Sequence, residues 1–229
     1  MYRLITANRN YSSWSLRPWV LMKTLGIPFG DEVVTFAGLN NYDEFRNFSP
    51  SGTVPVLVDG DRTIWDSLGI TLYLADRHAG VWPIGEAAKA WAQCVACEMH
   101  SGFSALRNDC AMSVGFRVRR REDSWSLRRD CQRIAEIFEE GLGRFGGPLL
   151  AGPEFSAADA FFAPVVFRVR TYGIELGPLG TAWAERMLAL PAMREWEDQA
   201  LLETYREEGH EAEIAAAGTM IEDRRAVLA

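Results

Sequence analysis

Residues 2–7, YRLITA, form a short β-prone run of partly alternating character, and they pass directly into NRNYSSWSLRPWVLMKTLG, whose apolar positions recur at helical spacing up to Gly26. The pattern predicts strand, then helix. A second pair follows: DEVVTFAG (31–38) reads as a strand, and NNYDEFRNFSP (40–50) carries polar and aromatic residues at helical spacing and closes on Pro50. In TVPVLVDGDRTIWD two β-branched runs flank Asp59-Gly60-Asp61, the signature of a tight antiparallel hairpin. DSLGITLYLADRH (66–78) then reads as a helix opening at Asp-Ser. The predicted order over residues 1–78 is β-α-β-α-β-β-α, a small mixed sheet covered by helices.

AGVWPIG (79–85) breaks this pattern with Gly and Pro, and no β-rich run comes after it, so the domain boundary is expected there. From residue 86 onward helical patterns succeed one another over 86–112, 124–145, 156–172, 179–189 and 191–205, separated by Gly and Pro turn signals. Residues 206–229 read as a helical or loosely ordered tail of this second domain (86–229). The expected fold class is therefore α/β plus all-α.

Charge and composition narrow the function. With 24 basic against 31 acidic residues the net charge is −7, which gives no general attraction to nucleic acid or anionic lipid. No apolar window approaches the roughly 20 residues needed to span a bilayer, and the start, MYRLITANRN, lacks a signal-peptide core, so a cytoplasmic protein is expected. No metal is expected. Cys94 and Cys97 form a C-x-x-C, but inside a helical pattern rather than at a strand-to-helix turn, and are read as small core residues one turn apart. The basic run Arg117-Val-Arg-Arg-Arg121 falls between helical patterns and is read as a solvated loop.

Three local features fall at telling places in this layout. Thr53-Val54-Pro55 heads an otherwise paired strand, where Pro cannot donate a ladder bond; a cis bond before Pro55 would turn the backbone outward and free the N–H and C=O of Val54. Asp66-Ser67 opens a helix, whose unpaired N–H groups suit a carboxylate while Asp66 suits an ammonium. Ser156-Ala-Ala-Asp159 is a capping arrangement before an apolar run, read as purely structural. Taken in order, these features resemble the cytosolic glutathione transferase family over residues 2 to 205. That resemblance implies a thioredoxin-like N-terminal domain and a helical C-terminal bundle, glutathione as co-substrate, a small-molecule electrophile as second substrate, and a homodimer. It implies that Thr53, Val54, Pro55, Asp66 and Ser67 hold glutathione.

Such an enzyme must present glutathione as a thiolate, and a hydroxyl donor together with the positive end of a helix lowers a thiol pKa. Tyr11, Ser12 and Ser13 all lie in the turn where both can be supplied. Ser12-Ser13-Trp14-Ser15-Leu16-Arg17 lies over the zeta-class pattern Ser-Ser-Cys-Ser-Trp-Arg, which favours Ser13 as donor, with Ser12 next and Tyr11 third. Trp14 in place of Cys, and Thr53 in place of Gln, depart from that class. Tyr11, Trp14, Phe103 and Arg107 are expected to wall the second-substrate site, while His100 is read as a packing or surface residue. A non-catalytic binding or regulatory protein of the same fold is the alternative.

Overall fold

The computed structural model describes residues 1–36 and 41–225. β1 (Tyr2–Ala7), α1 (Ser13–Thr24), β2 (Phe29–Val34), α2 (Tyr42–Phe45), β3 (Val56–Asp59), β4 (Arg62–Ile64) and α3 (Ser67–Ala75) follow the predicted order. The sheet runs β2-β1-β3-β4, with β1 and β2 parallel and the other pairs antiparallel. The hairpin turns at Gly60, whose φ of 61° suits glycine's lack of a side chain. The second predicted strand ends at Val34, short of the 31–38 expected, and its last two residues lie outside the described residues together with the first of the 40–50 helix.

The second half is helical: α4 (Glu86–Ser101), α5 (Ser104–Asp109), α6 (Trp125–Arg144), α7 (Ala157–Tyr172), α8 (Gly177–Ala189), α9 (Pro191–Leu202) and α10 (Glu208–Ala216). The single helix expected over 86–112 is two. Gly102 and Phe103 break it: Phe103 takes a φ of 58°, and a side chain at 102 would sit 2.8 Å from the Glu98 carbonyl. The Arg117–Arg121 loop reading is corrected as well, because β5 (Phe116–Arg120) pairs antiparallel with β6 (Gly218–Asp223). That pairing also orders the stretch read as a loose tail. Residues so far apart in sequence carry no local signal of a shared ribbon, and the alternation within β5 is masked by its arginines.

α7 is buried on nearly all sides, as a helix apolar all round must be, and packs against both α1 and α4. Its start is the capping box seen in the sequence. The Asp159 carboxylate accepts from the Ser156 N–H (3.1 Å), the Leu150 N–H (2.9 Å) and the Trp183 indole (3.0 Å). Around it Phe138 and Trp183 pack with ring centroids 4.7 Å apart. The apolar core continues from Leu4, Trp19 and Leu57 through α4 and α7 to Trp183 and Trp196. Cys94 and Cys97 do lie within a helix but on its exposed side, which corrects their assignment to the core.

Candidate active site

A cavity of about 380 Å³ opens where α1 begins, lined by Tyr11, Ser12, Ser13, Trp14, Thr53, Val54 and Arg107 among others. Seven of the residues named from sequence are thus brought to one place. Ser12 precedes α1, and its hydroxyl donates to Ser15 Oγ (2.7 Å), which in turn accepts from the Ala7 N–H (3.1 Å). That chain ties the turn to β1 and uses the Ser12 proton. Ser13, the first residue of α1, lies beside the helix's free N–H groups and faces the cavity without a hydrogen-bond partner among the described side chains. Tyr11 is engaged elsewhere: its hydroxyl donates to Glu211 (2.7 Å) and accepts from Arg225 (2.7 Å). Burial, with the bond to Glu211, pushes its pKa up to about 12, so it stays protonated.

The bond before Pro55 is cis. Pairing of β3 with β1 begins at Val56, one residue beyond Pro55, which leaves the Val54 backbone outside the ladder. Ser49 braces the same loop by donating to the Thr53 carbonyl (2.6 Å) and accepting from the Thr53 N–H (3.2 Å).

Asp66 and Ser67 do not line this cavity but a cluster adjoining it across Trp14. Asp66 caps α3 through the N–H groups of Leu68 (2.9 Å) and Gly69 (3.3 Å), and its other oxygen lies 3.2 Å from His100 Nε2. His100 sits edge-on to Trp14, with ring centroids 5.4 Å apart, so of the packing and surface readings of this histidine the packing one holds. Arg17 also stacks on Trp14, its guanidinium carbon 4.1 Å from the ring centroid. Four buried polar atoms around Asp66 lack partners among the described residues: the Ser67 hydroxyl, His100 Nδ1, and Arg17 Nε and Nη1. Buried polar groups are ordinarily satisfied, so this concentration sets the cluster apart from the rest of the interior. Phe103 lines a different cleft, with Glu98 and Arg133, and is set aside from the second-substrate wall.

Sequence reasoning missed Arg168 and Met112, which line the cavity, and Phe36 and His210, which close one side of it. His210 stacks on Tyr11 (5.2 Å) and Phe36 (5.0 Å), carried there by α10. An arginine ending the apolar run Ala160–Phe167 was the available signal for Arg168; none existed for His210. Of the cysteines, buried Cys110 has its pKa pushed to about 12 and half-buried Cys131 to about 11, both chiefly by burial, so both stay protonated and unreactive at neutral pH.

Models of the glutathione S-transferase N-terminal and C-terminal domains match residues 11–77 and 117–199. A dichloromethane dehalogenase of Methylophilus leisingeri is 44% identical over 54 residues, 23% of this chain and 20% of that relative, so the chain aligns with only about a fifth of the dehalogenase. A probable maleylacetoacetate isomerase of Vibrio cholerae is 26% identical over 163 residues, 68% of this chain and 75% of that protein. Among solved structures, a glutathione transferase homolog from Burkholderia with bound glutathione superposes with a TM-score of 0.65 at 20% identity, covering 87% of this chain and 97% of the other. A theta-class glutathione S-transferase from Xanthomonas axonopodis pv. citri with glutathione bound gives 0.65 at 22% identity, covering 85% and 95%. At such identities these two structures speak for the fold.

Proposed function

Since the chain belongs to the glutathione S-transferase family, we propose that it is an enzyme that binds glutathione across Val54 and the Asp66 cluster and adds its sulfur, held as a thiolate by Ser13, to small electrophiles. The observation that carries this reading is the uncommitted Ser13 hydroxyl at the start of α1, in one cavity with the unpaired backbone of Val54. A hydroxyl donor and the positive helix end both favour the charged form of a sulfur beside them. The peptide backbone of glutathione pairs with Val54 as a short added strand. Its γ-glutamyl ammonium meets Asp66, and the carboxylate beside it takes up the donors that Ser67 and Arg17 leave unpaired.

One relative bears the name of a dehalogenase and another that of an isomerase, and conjugation and isomerisation both fall within the proposal. The division of the chain at 79–85, a cytoplasmic location and a homodimer belong to it too. For the dimer, the exposed Trp65 and Leu72, beside and on α3, supply apolar surface, and sedimentation velocity tests it.

Ser13→Ala tests the chemistry. Conjugation of a neutral aryl halide should fall about 100-fold in kcat/KM, the scale of losing one charge-stabilising donor. The glutathione thiol titrated in the binary complex should move towards its free value of about 8.5. An unchanged rate and an unchanged thiol pKa would refute the assignment.

A further inference from the structure

Three arginines enter the interior beside the cavity without a carboxylate to pair with. Arg17 is 1% exposed and Arg168 5%, Arg107 is half-buried, and no acidic oxygen among the described residues lies within 4.0 Å of any of them. Their partners are neutral. Arg107 donates through Nε to the Gly102 carbonyl (3.1 Å), and its Nη2 shares the Met99 carbonyl with Arg17 Nη2. Arg168 donates through Nε to the Cys110 carbonyl (2.9 Å) and weakly to Pro164 (3.5 Å). Carbonyls satisfy N–H groups but cancel no charge.

Burial presses on all three and repulsion from neighbouring guanidiniums on Arg17 and Arg168, with Asp66 and Asp130 opposing it at Arg17 and Arg107 only from beyond ion-pair distance. Burial and the charges of Arg107 and Arg168 drive the Arg17 pKa down, and burial lowers those of Arg107 and, to about 10, Arg168. All remain cations at neutral pH. Gathering such charges in a chain of net charge −7 is costly unless an anion arrives to compensate them. Arg107 on α5 and Arg168 on α7 line the cavity itself, together with the apolar Ala111 and Met112, while Arg17 stands behind Trp14. The carboxylate on the cavity wall is Glu213, which is exposed and ion-paired to none of the three.

We propose that the second substrate carries a carboxylate, which Arg107 and Arg168 hold while its apolar body rests on Ala111 and Met112 and its electrophilic carbon faces Ser13. This rests on the reading of the cavity as the glutathione site. Selectivity then arises from charge as well as from apolar fit. In the reaction the thiolate sulfur attacks carbon, a C–S bond forms, and the leaving group departs with the electrons of the broken bond.

The test compares 4-(chloromethyl)benzoate with its methyl ester. Both lose chloride to the same thiolate and differ in charge at the far end. The native enzyme should favour the benzoate by about tenfold or more in kcat/KM, the scale of one charge-assisted pair. R107M should cut that preference to about threefold or less by slowing the benzoate alone, since it removes one of the two guanidiniums that hold the carboxylate. Because Arg168 also ties α7 to Cys110, R168K accompanies it; losing the planar fork should cut the preference while the thermal midpoint stays near native. Equal rates for the two substrates, or equal losses for both in R107M, overturn the proposal. So does weaker glutathione binding in these variants without any benzoate preference, which would assign the guanidiniums to glutathione's own carboxylates.

Should neither compound turn over, calorimetry with unreactive 4-methylbenzoate decides separately. Binding that weakens about tenfold in R107M sustains the anion site while the catalytic reading fails, that being the worth of one such pair. Absence of binding overturns it.

Discussion

Two adjacent serines with the same chemistry have different fates here. Ser12 gives its proton to Ser15, which also receives the Ala7 N–H, so this hydroxyl holds the turn against β1. Ser12→Ala should therefore cost about 1 kcal/mol of stability, the worth of one buried hydrogen bond, with a smaller loss of rate than Ser13→Ala; paired urea melts and kinetics separate the two. Asp66 does double work, capping α3 and facing His100. Asp66→Asn keeps the cap's acceptor but removes the charge, so KM for glutathione should rise about tenfold with kcat much less affected, the pattern expected for a lost ground-state contact. A comparable loss in Asp66→Asn of kcat alone would place Asp66 in the chemistry rather than in binding.

Among the elements, α7 shows what its capping box is for. Asp159 is fully buried and accepts from three separate segments, joining the start of α7 to Leu150 and to Trp183 on α8. Burial raises its pKa, and the hydrogen bonds to its charged form oppose that rise. Asp159→Ala would orphan three buried donors, and a loss of about 3 kcal/mol or more is expected in denaturant unfolding, with kinetics of the surviving folded fraction little changed. The Ser-x-x-Asp spacing announced this cap because capping is local: four consecutive residues contain both partners. The β5–β6 ribbon had no such announcement. Its strands are about a hundred residues apart, and it depends on Gly115, where a side chain would collide with Arg225 at 2.6 Å. Gly115→Val should detach the C-terminal segment, seen as faster amide exchange over residues 208–223 while the sheet of the first half stays protected.

At the level of the whole molecule, the C-terminal segment returns across the site. Arg225 binds the Tyr11 hydroxyl and Asp223, and lies 2.7 Å from Glu211, while Arg206 bridges Glu211 and Asp223. The arginines, by hydrogen bond and charge, lower the pKa of Glu211 and Asp223 against the opposing effect of burial, and Tyr11 adds a hydrogen bond to Glu211. A depressed carboxyl pKa stabilises the fold fully above the unfolded value, about 4 for these groups, and that stability is lost as pH falls through the lower folded values. The segment should therefore stay closed at neutral pH and loosen below about pH 4, earlier than the core, with amide exchange at graded pH as the measurement.

Much of this protein was legible in its residue order alone. The β-α-β-α-β-β-α succession, the hairpin at Gly60, the cis bond expected before Pro55 and the caps at Asp66 and Ser156 depend on periodicity, turn chemistry or neighbours a few positions apart, while the gathering of Ser12, Ser13, Thr53 and Val54 was expected from the family resemblance. Tertiary structure decided which serine keeps a free hydroxyl, that Tyr11 is turned to Glu211 and Arg225, that Phe103 faces another cleft, and that His100 joins Asp66. It also brought Arg107 and Arg168 into one cavity from helices roughly sixty positions apart. A side chain's charge is written in the residue, but its desolvation and its partners are set by elements that meet only when the chain is folded, and those decide what the charge can do.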